Sequence, residues 1–348
     1  MASQLDTLLS TLHGFERLLI LPHNNPDPDA IASAVALKEL LEQKSDTACQ
    51  IGYKGIIGRP ENRALVRYLQ RPMRRLTAGD MRQATAIALV DTQPGTGNSA
   101  LENGVEVRIV IDHHPINDYD KVVTFADVRP QIGATATIMT EYLQEAGIEP
   151  TSTLATALFY GIKTDTLGLV RGATAADIAA YLYLQPLIDV NALIAIENAQ
   201  VPPAYFRELN DTVQAARIYG DVVIAYIGSM EYPDLVGEMA DLLLRLEDMQ
   251  WSICMGIHND QLIMSVRNRR RRGGAGQLAR AVVGQDGTAG GHGMMAGGQV
   301  QLHDHDAAQM AHDLMHRILR YLDVPPDTTG APLLSYSPQK THSMQVLS

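Results

Sequence analysis

Cysteine is scarce in this sequence, and its scarcity argues against two kinds of site. The only two cysteines of the 348 residues, Cys49 and Cys254, lie far apart, and neither belongs to a Cys-x-x-Cys pair. A disulfide framework and a cysteine-ligated zinc site are therefore not expected. The sequence also lacks an apolar run long enough to cross a bilayer, and its first residues lack the basic-then-apolar pattern of a signal peptide. We expect a cytoplasmic protein without a membrane partner.

Positive charge is also limited. Asp and Glu outnumber Lys and Arg by 39 to 28, for a net charge of -11, which argues against sequence-independent binding of long nucleic acid. One basic run stands out at residues 269–272. It is compatible both with a solvated charged loop and with an electrostatic funnel for a polyphosphorylated or oligonucleotide substrate.

Strand-length apolar runs alternate with helical patterns along the chain. Hydrophobic residues make up 46% of the sequence, so a chain of this length can bury two cores. The pattern predicts an α/β fold, with an N-terminal, mostly parallel sheet covered by helices on both faces and a smaller C-terminal α/β domain. We predict domains at residues 1–190 and 216–324, a linker at 191–215, and a flexible tail rich in proline, serine and threonine at 325–348.

Acidic and imidazole side chains follow three of the predicted strands. The strands at 17–22, 85–90 and 107–111 lead, in that order, into His23, Asp27 and Asp29, into Asp91, and into Asp112, His113 and His114. Because ligands of open α/β sheets bind at the carboxyl ends of the strands, we expect these side chains at one edge of the sheet. A further acidic residue, Asp165, ends a predicted helix beside a turn rich in glycine and threonine.

The aspartates of this cluster pose a charge problem. Carboxylates so close together cannot all stay ionised without a compensating cation. Mixed carboxylate and imidazole ligands suit manganese, iron or zinc better than calcium, and the oxygen-rich balance favours manganese. More than four such ligands exceed what one tetrahedral zinc needs, so we predict two metals, about 3.5–4 Å apart around a shared carboxylate. Mn2+ is preferred, with Mg2+ or Co2+ as alternatives.

Each of these residues also has a structural explanation when it is taken alone. An aspartate after a strand is often the N-cap of the next helix, and for Asp29 the two explanations are evenly balanced. A lone Asp91 or Asp165 is more typical of a turn, and a lone His23 of a satisfied surface histidine. These explanations fail for the set, because capping does not require all of the residues to fall at one sheet edge.

Four segments, in order, resemble the motifs of the DHH phosphoesterases. Residues 23–30 (HNNPDPDA) resemble the first motif, Asp91 after its strand the second, residues 112–114 (DHH) the third and residues 161–166 (GIKTDT) the fourth. The string DHH alone is a weak signal, but four motifs in the family's order are a strong one. The resemblance covers most of the chain, from about residue 18 to residue 322.

The resemblance implies a role for each residue of the cluster. The first metal would be held by His23, Asp27 and Asp91, and the second by Asp29, Asp91, His113 and Asp165. Asp112 and His114 would be the catalytic side chains, because in the family the first orients the neighbouring histidine and the second faces the substrate phosphate.

The C-terminal half resembles the DHH-associated domain at residues 265–268 and 290–298. In the family these regions bind the phosphate and sugar of the substrate across the cleft between the domains. The substrate contacts implied here are made by Arg267, Gly290, Gly291, His292 and Gly293. The sequence departs from the family pattern where Ala289 replaces a third glycine and where residues 269–272 are unusually basic, which leaves the length of the substrate open.

By length and domain content the chain resembles the nano-RNase and pAp-phosphatase branch of the family rather than the longer RecJ-like exonucleases. This implies a hydrolase of short oligonucleotides or 3′,5′-bisphosphate nucleotides that works by two-metal activation of water. A homodimer is compatible with it, and no stable protein partner is indicated. The alternatives are a pyrophosphatase or polyphosphatase, a phosphodiesterase of linear dinucleotides, a nucleotide-binding regulatory module without catalysis, and a nucleic-acid interaction protein.

Overall fold

The structure is a computed structural model that describes residues 3–101, 105–116, 123–270, 274–303 and 305–336. The chain divides into two compact units, Met1–Gln200 and Val201–Ser348. Among the described residues, no single helix has the length and apolar character needed to cross a membrane. Two consecutive helical segments, Ala175–Leu187 and Val190–Glu197, reach that length and apolar character only when they are taken together, and they are bent by 113° relative to each other.

A six-stranded parallel sheet organises the N-terminal unit. Its strands are β1 (Arg17–Pro22), β2 (Ala48–Tyr53), β3 (Met73–Arg75), β4 (Ala86–Val90), β5 (Val107–Asp112) and β6 (Val123–Val128). Their order is β3-β2-β1-β4-β5-β6. From β1 the chain adds β2 and β3 toward one edge of the sheet, and from β4 it adds β5 and β6 toward the other edge. The crevice at the carboxyl ends of these two strands is therefore the topological switch point, where open α/β sheets bind ligands.

Helices cover the two faces of this sheet unequally. They are α1 (Gln4–Ser10), α2 (Pro28–Lys44), α3 (Pro60–Tyr68), α4 (Ala78–Gln83), α5 (Thr135–Glu145), α6 (Ser152–Asp165), α7 (Ala175–Leu184) and α8 (Val190–Glu197). Leu18 and Ile20 of β1 face a large core under α2, α5 and α6. Leu19 and Leu21 of the same strand face the opposite side, where Met81 of α4 packs. This alternation confirms the predicted parallel sheet with helices on both faces.

A mixed seven-stranded sheet organises the C-terminal unit. The elements are α9 (Pro203–Ala215), β7 (Arg217–Tyr219), β8 (Val222–Ser229), α10 (Leu235–Leu243), β9 (Trp251–His258), β10 (Gln261–Asn268), α11 (Ala275–Val283), β11 (Gly287–His292), β12 (Met295–Gln301), α12 (Ala307–Tyr321) and β13 (Ala331–Pro332). The order is β11-β12-β10-β9-β8-β7-β13, and only the β8–β9 pair of these neighbours is parallel. Helices α11 and α12 contribute to one apolar core with the central strands. The predicted second α/β domain is thus present.

A tight hairpin joins β9 and β10 at residues 258–261. β9 and β10 pair in antiparallel register from His258 opposite Gln261. The two turn residues, Asn259 and Asp260, both have positive φ, at 48° and 60°. This is the conformation that two-residue hairpin turns require and that asparagine and aspartate tolerate better than most residues.

The structure differs from the sequence prediction in the region assigned to a flexible tail. Ala331–Pro332 form β13, which pairs with β7, and the amide of Leu333 donates to the carbonyl of Ala216 at 3.1 Å. The composition of this region predicts little regular structure, but a short edge strand depends on main-chain hydrogen bonds rather than on side-chain pattern. Residues 337–348, the rest of the predicted tail, lie outside the described residues.

Candidate metal centre

The acidic and imidazole residues that follow β1, β4 and β5 meet at the switch point of the parallel sheet. His23 follows β1, Asp91 follows β4, and Asp112 is the last residue of β5. Three groups of ligand atoms lie there, each within 4.8 Å: His23, Asp27 and Asp91; Asp29, His113 and Asp165; Asp91, His113 and His114. The structure therefore brings together all six residues that the sequence proposes as metal ligands.

Asp91 joins these groups. Its Oδ2 is 3.5 Å from Nε2 of His23, while its Oδ1 is 3.6 Å from Nε2 of His113 and 3.7 Å from Nδ1 of His114. The side chain is almost fully buried, and the backbone is left-handed, with φ at 59°. Such a conformation costs a residue with a side chain free energy and persists where the surrounding structure enforces it, often at functional sites. A single carboxylate is thus positioned to serve two neighbouring ions.

His23 and Asp27 form the first group with Asp91. Nδ1 of His23 lies 2.8 Å from the carbonyl of Asn24, so Nδ1–H donates there and Nε2 is left as the ligand atom. That Nε2 is 3.7 Å from Oδ1 of Asp27. Asp27 is also the N-cap of α2, since Oδ1 accepts from the amide of Ala30 at 3.1 Å. The capping role that the sequence weighs for Asp29 therefore belongs to Asp27.

His113 presents a buried nitrogen in the second group. Its Nδ1 lies 3.1 Å from the carbonyl of Ile132, which leaves Nε2 as the ligand atom. Nε2 is 3.3 Å from Oδ2 of Asp165 and 4.0 Å from Oδ2 of Asp29. It is buried and has no hydrogen-bond partner among the described residues. An orphaned buried nitrogen is costly, and a cation among these oxygens satisfies it, so the donor set fits a metal ion.

The N-terminus of α5 holds two of the aspartates in place. The amides of Thr135 and Ala136 each donate to the Asp29 carboxylate at 2.7 Å, and the Thr135 hydroxyl donates to Oδ1 of Asp91 at 2.8 Å. A helix N-terminus favours negative charge at this position. Gly161 lets α6 approach, because an added Cβ would lie 3.1 Å from the Cα of Asp29. Thr135 is not among the residues predicted from the sequence, since its only distinguishing feature is its place at the start of α5.

Asp112 and Gln93 hold His114. Oδ1 of Asp112 is 2.8 Å from Nδ1 of His114, and Nε2 of Gln93 donates to Oδ2 of Asp112 at 2.6 Å. Asp112 reaches His113 only through that residue's backbone amide, at 2.9 Å. The imidazole that Asp112 orients is therefore that of His114. Gln93 was also missed by sequence reasoning, although it stands two residues after Asp91 at the end of a buried strand.

The electrostatics of the cluster show an excess of buried negative charge. Burial, together with the charges of Asp91 and Asp165, holds the pKa of Asp29 well above its ordinary value. Burial likewise raises the pKa of Asp91. Burial alone would lower the pKa of His23, but Asp27 and Asp91 outweigh it and raise that pKa to about 10. Cations are thus favoured here, and this many donors around one shared carboxylate suit two ions.

The glycines predicted to bind substrate lie in regular structure. Gly290 and Gly291 belong to β11, which pairs with β12, and Gly293 lies in the connecting turn with φ at 55°. Gly276 at the start of α11 packs directly on the carbonyl of Gly291, where a Cβ would collide. The segment is therefore an edge strand under a helix rather than the loop its composition indicates. The side chain of His292 lies outside the described part of the chain.

Arg267 is held by neighbouring groups in the same unit. Its Nε and Nη2 donate to the carboxylate of Asp241, and Nη1 donates to the Ser265 hydroxyl at 2.7 Å. The side chain is only 10% exposed. Arg269, from the basic run, donates to the carbonyl of Leu244. Residues 271 and 272 lie outside the described residues, and both explanations of the run, the charged loop and the funnel, stay predictions.

Comparison with known proteins identifies the N-terminal part of the chain. Residues 17–162 match the model of the DHH family, N-terminal domain. An uncharacterized protein of Methanocaldococcus jannaschii is 37% identical over 286 residues, which cover 82% of this chain and 58% of that protein. A probable manganese-dependent inorganic pyrophosphatase of Bacillus velezensis is 27% identical over 179 residues, which cover 51% of this chain and 57% of that protein. The chain thus spans well under two thirds of either relative.

A solved structure shares the fold. An exopolyphosphatase-related protein from Bacteroides fragilis matches with a TM-score of 0.73, over 91% of this chain and 96% of that one, at 14% identity. That match extends across both the parallel and the mixed sheet. The family match runs from β1 into α6 and includes the cluster from His23 to His114, with Asp165 three residues beyond its end. Residues 17–162 of this chain thus match the DHH family, N-terminal domain.

Proposed function

We propose that this chain is a metal-dependent phosphoesterase that hydrolyses short oligonucleotides or 3′,5′-bisphosphate nucleotides. One observation carries the proposal: the Asp91 carboxylate joins two ligand groups, and in the second the buried Nε2 of His113 has no hydrogen-bond partner among the described residues. Two ions around one bridging carboxylate are the arrangement that phosphoryl-transfer enzymes use. A nucleotide-binding module without catalysis has no need of it.

In this proposal the ligands divide between the two ions. The first ion would be held by His23, Asp27 and Asp91, and the second by Asp29, Asp91, His113 and Asp165. When bound, the ions supply Lewis acidity to the phosphate and lower the pKa of water. The mixed carboxylate and imidazole donors suit manganese, and the manganese-dependent pyrophosphatases among the relatives support the same metal.

The chain's own contribution to proton transfer comes from His114. Nδ1–H donates to Asp112, so a proton on Nε2 makes an imidazolium that the carboxylate stabilises. Burial alone would lower the pKa of His114, but the hydrogen bond with Asp112 and the charge of Asp91 raise it above its ordinary value. The side chain is 37% exposed. His114 is therefore positioned to donate a hydrogen bond or a proton from Nε2 to a phosphate oxygen.

Pyrophosphate is the second candidate substrate. The relatives named as manganese-dependent inorganic pyrophosphatases favour it, but they match only 51% of this chain. A match over about half of this chain supports related chemistry without fixing the size of the substrate. The proposed substrate contacts of this unit, Arg267, Gly290, Gly291, His292 and Gly293, favour a substrate larger than pyrophosphate.

A substrate panel tests the proposal. The full chain, supplied with Mn2+, is assayed on RNAs of two to five nucleotides, on pAp and on pyrophosphate. We expect turnover of the short RNAs or pAp to exceed that of pyrophosphate, and Asp91→Asn to abolish it. Faster cleavage of pyrophosphate would transfer the assignment to the second candidate. Nucleotide binding by calorimetry without any turnover would leave a regulatory module instead.

The basic run offers a separate test of nucleic-acid binding. Replacing residues 269–272 with serine removes four positive charges from the full chain. We expect weaker binding of long single strands, with turnover of dinucleotides retained, if the run is a funnel for phosphates. Unchanged binding would leave the run as a solvated loop.

A further inference from the structure

Two histidines on the solvent face of α12 lie close enough to share one ligand. His312 and His316 are one helical turn apart, and their Nε2 atoms are 3.1 Å from each other. The ring centroids are 4.3 Å apart at an interplanar angle of 74°. Both residues are exposed, while Leu314 on the opposite side of the helix is buried in the core. The two ring nitrogens therefore point into one accessible space. Both histidines belong to the C-terminal unit, whereas the candidate metal centre is built from residues of the N-terminal unit.

We propose that His312 and His316 form a site for a divalent transition-metal ion on the C-terminal unit, independent of the candidate metal centre. In the metal-free pair, one Nε2 carries a hydrogen and donates it to the other. When a metal ion binds, that hydrogen moves to Nδ1 of the same ring by exchange with solvent, and both Nε2 lone pairs then bind the metal. Histidines at positions i and i+4 of a helix are a recurrent way to hold zinc, because their side chains lie on the same face.

The separation of the two nitrogens suits a shared metal. With metal–nitrogen bonds of about 2.05 Å, a nitrogen distance of 3.1 Å corresponds to an angle at the metal of about 98°. This lies between the angle of about 90° in square-planar or octahedral sites and the angle of about 109° in tetrahedral ones. The pair can therefore bind without moving the helix backbone, and water completes the coordination.

The donor type sets the metal. Imidazole nitrogens suit Zn2+, Cu2+ and Ni2+, whereas Mg2+ and Mn2+ prefer oxygen ligands. The nearby carboxylate of Asp313 accepts from Nε2 of Gln309 at 2.8 Å and lies 4.0 Å from Nδ1 of His312, on the far side of that ring from Nε2. It adds negative charge close by without competing for the two nitrogens. The site thus differs in selectivity from the oxygen-rich cluster of the N-terminal unit.

Two arginines on the same helix bear on the affinity. Arg317 is paired with Asp286, at 2.6 Å between Nη1 and Oδ2, so that its charge is directed toward α11. Arg320, one turn beyond His316, is exposed and repels a cation. With two protein ligands and this repulsion, the site binds a metal reversibly rather than as a permanent structural ion.

Chemical modification of individual histidines tests the site in the full chain. Diethyl pyrocarbonate modifies accessible ring nitrogens, and peptide mass spectrometry reports each histidine separately. We expect excess Zn2+ to slow modification of His312 and His316 about tenfold. Exposed His305, in the same unit, serves as the control and should react equally with and without Zn2+. Mg2+ should protect none of the three.

Two variants keep the test independent of the candidate metal centre. His316→Ala should remove the protection of His312, because a single imidazole holds the ion much more weakly. Asp91→Asn should leave the protection of both histidines unchanged. Equal reactivity of His312 with and without Zn2+, or protection of His312 that persists in His316→Ala, would overturn the proposal.

Discussion

The two units arrange their chemically important residues in different ways. In the N-terminal unit, side chains that follow β1, β4 and β5 project from the ends of parallel strands and converge at one edge. In the C-terminal unit, Gly290 and Gly291 lie within a strand, and Arg267 is engaged by Asp241. In a parallel sheet, the residues that follow the strands all lie at the same edge, so their location can be predicted. The structure of a glycine-rich segment depends instead on the strands and helices that pack against it.

Removing the bridging charge should produce the largest effect. Asp91→Asn keeps the shape and the hydrogen bond from Thr135 but removes a buried charge from an overcrowded cluster. We expect phosphoesterase activity to fall at least about a thousandfold. The metal-free protein should melt a few degrees higher, because the repulsion is relieved. Activity assays and thermal unfolding with and without Mn2+ check both results.

Asp177 provides the matched control for that experiment. It is also a fully buried aspartate, but its carboxylate accepts from the amide of Gly133 and from the amide and hydroxyl of Thr174. Asp177→Asn should destabilise the protein by about 1–3 kcal/mol, because an amide replaces an acceptor that several donors need. If Asp91→Asn destabilises the metal-free protein as much, the cluster is not overcrowded with charge.

The pH dependence of metal binding should be the next largest effect. The pKa of His23 is raised from 6.5 to about 10, and those of Asp29 and Asp91 are also raised, so the metal-free site holds protons that a metal must displace. Affinity for Mn2+ should rise about tenfold per pH unit for each proton displaced. Calorimetry between about pH 6 and pH 9 measures it; a flat profile would contradict the proton competition.

Stability of the metal-free protein should change in the opposite direction. A raised histidine pKa contributes stability that is complete below 6.5 and is lost as the pH rises through about 10. The raised pKa values of Asp29 and Asp91 act the same way, since the folded state binds more protons than the unfolded one above the ordinary aspartate range. Thermal stabilisation by Mn2+ should therefore grow from pH 6 to pH 8.5, as scanning calorimetry can show.

The hydroxyl of Thr135 should matter less than the ligands it supports. Thr135→Val removes the donor to Oδ1 of Asp91 while keeping the shape of the side chain, and the backbone amide that binds Asp29 stays in place. We expect Mn2+ affinity or activity to fall about 10–100-fold. Thr135→Ser should restore most of it. A loss in Thr135→Ser with little or no loss in Thr135→Val would show that packing of the methyl group, rather than the hydrogen bond, is what counts.

Neutralising Asp241 should have the smallest effect and tests the other side of the comparison. Asp241→Asn weakens the ion pair with Arg267 and leaves more of its positive charge for an anionic substrate. We expect KM for short RNA to fall about twofold to threefold, with kcat unchanged. Asp286→Asn, which removes the exposed partner of Arg317 in the same unit, is the control and should leave KM unchanged.

The sequence predicts the centre of the N-terminal site well because the signals there are local. An apolar run ending at Pro22, Val90 or Ile111 marks a buried strand, and the residues after it must lie at the sheet edge. Thr135 and Gln93 escape prediction because their roles depend on contacts with Asp91 and Asp112 from other parts of the chain. No spacing in the sequence reports such contacts.

The weaker predictions share one physical cause. Strands β2 and β6 contain polar residues among apolar ones and lie outside the two central strands, so their pattern is short and mixed. Strand β11 has no side-chain pattern to detect, and β13 has only two residues. In each of these, pairing with a neighbouring strand decides the structure, and hydrophobic periodicity does not report that pairing.

The left-handed backbone at Asp91 restricts which amino acids evolution or an engineer can place there. In the proposed metal site, position 91 must carry an acidic group and must also accept a φ of 59°. Aspartate meets both demands, while glutamate meets only the first comfortably. Lengthening the side chain by one methylene would therefore penalise folding as well as ligand placement. Glycine at position 91 would relieve the backbone strain but would remove the carboxylate. Selection for stability alone at this position would therefore favour a protein without the proposed bridging carboxylate.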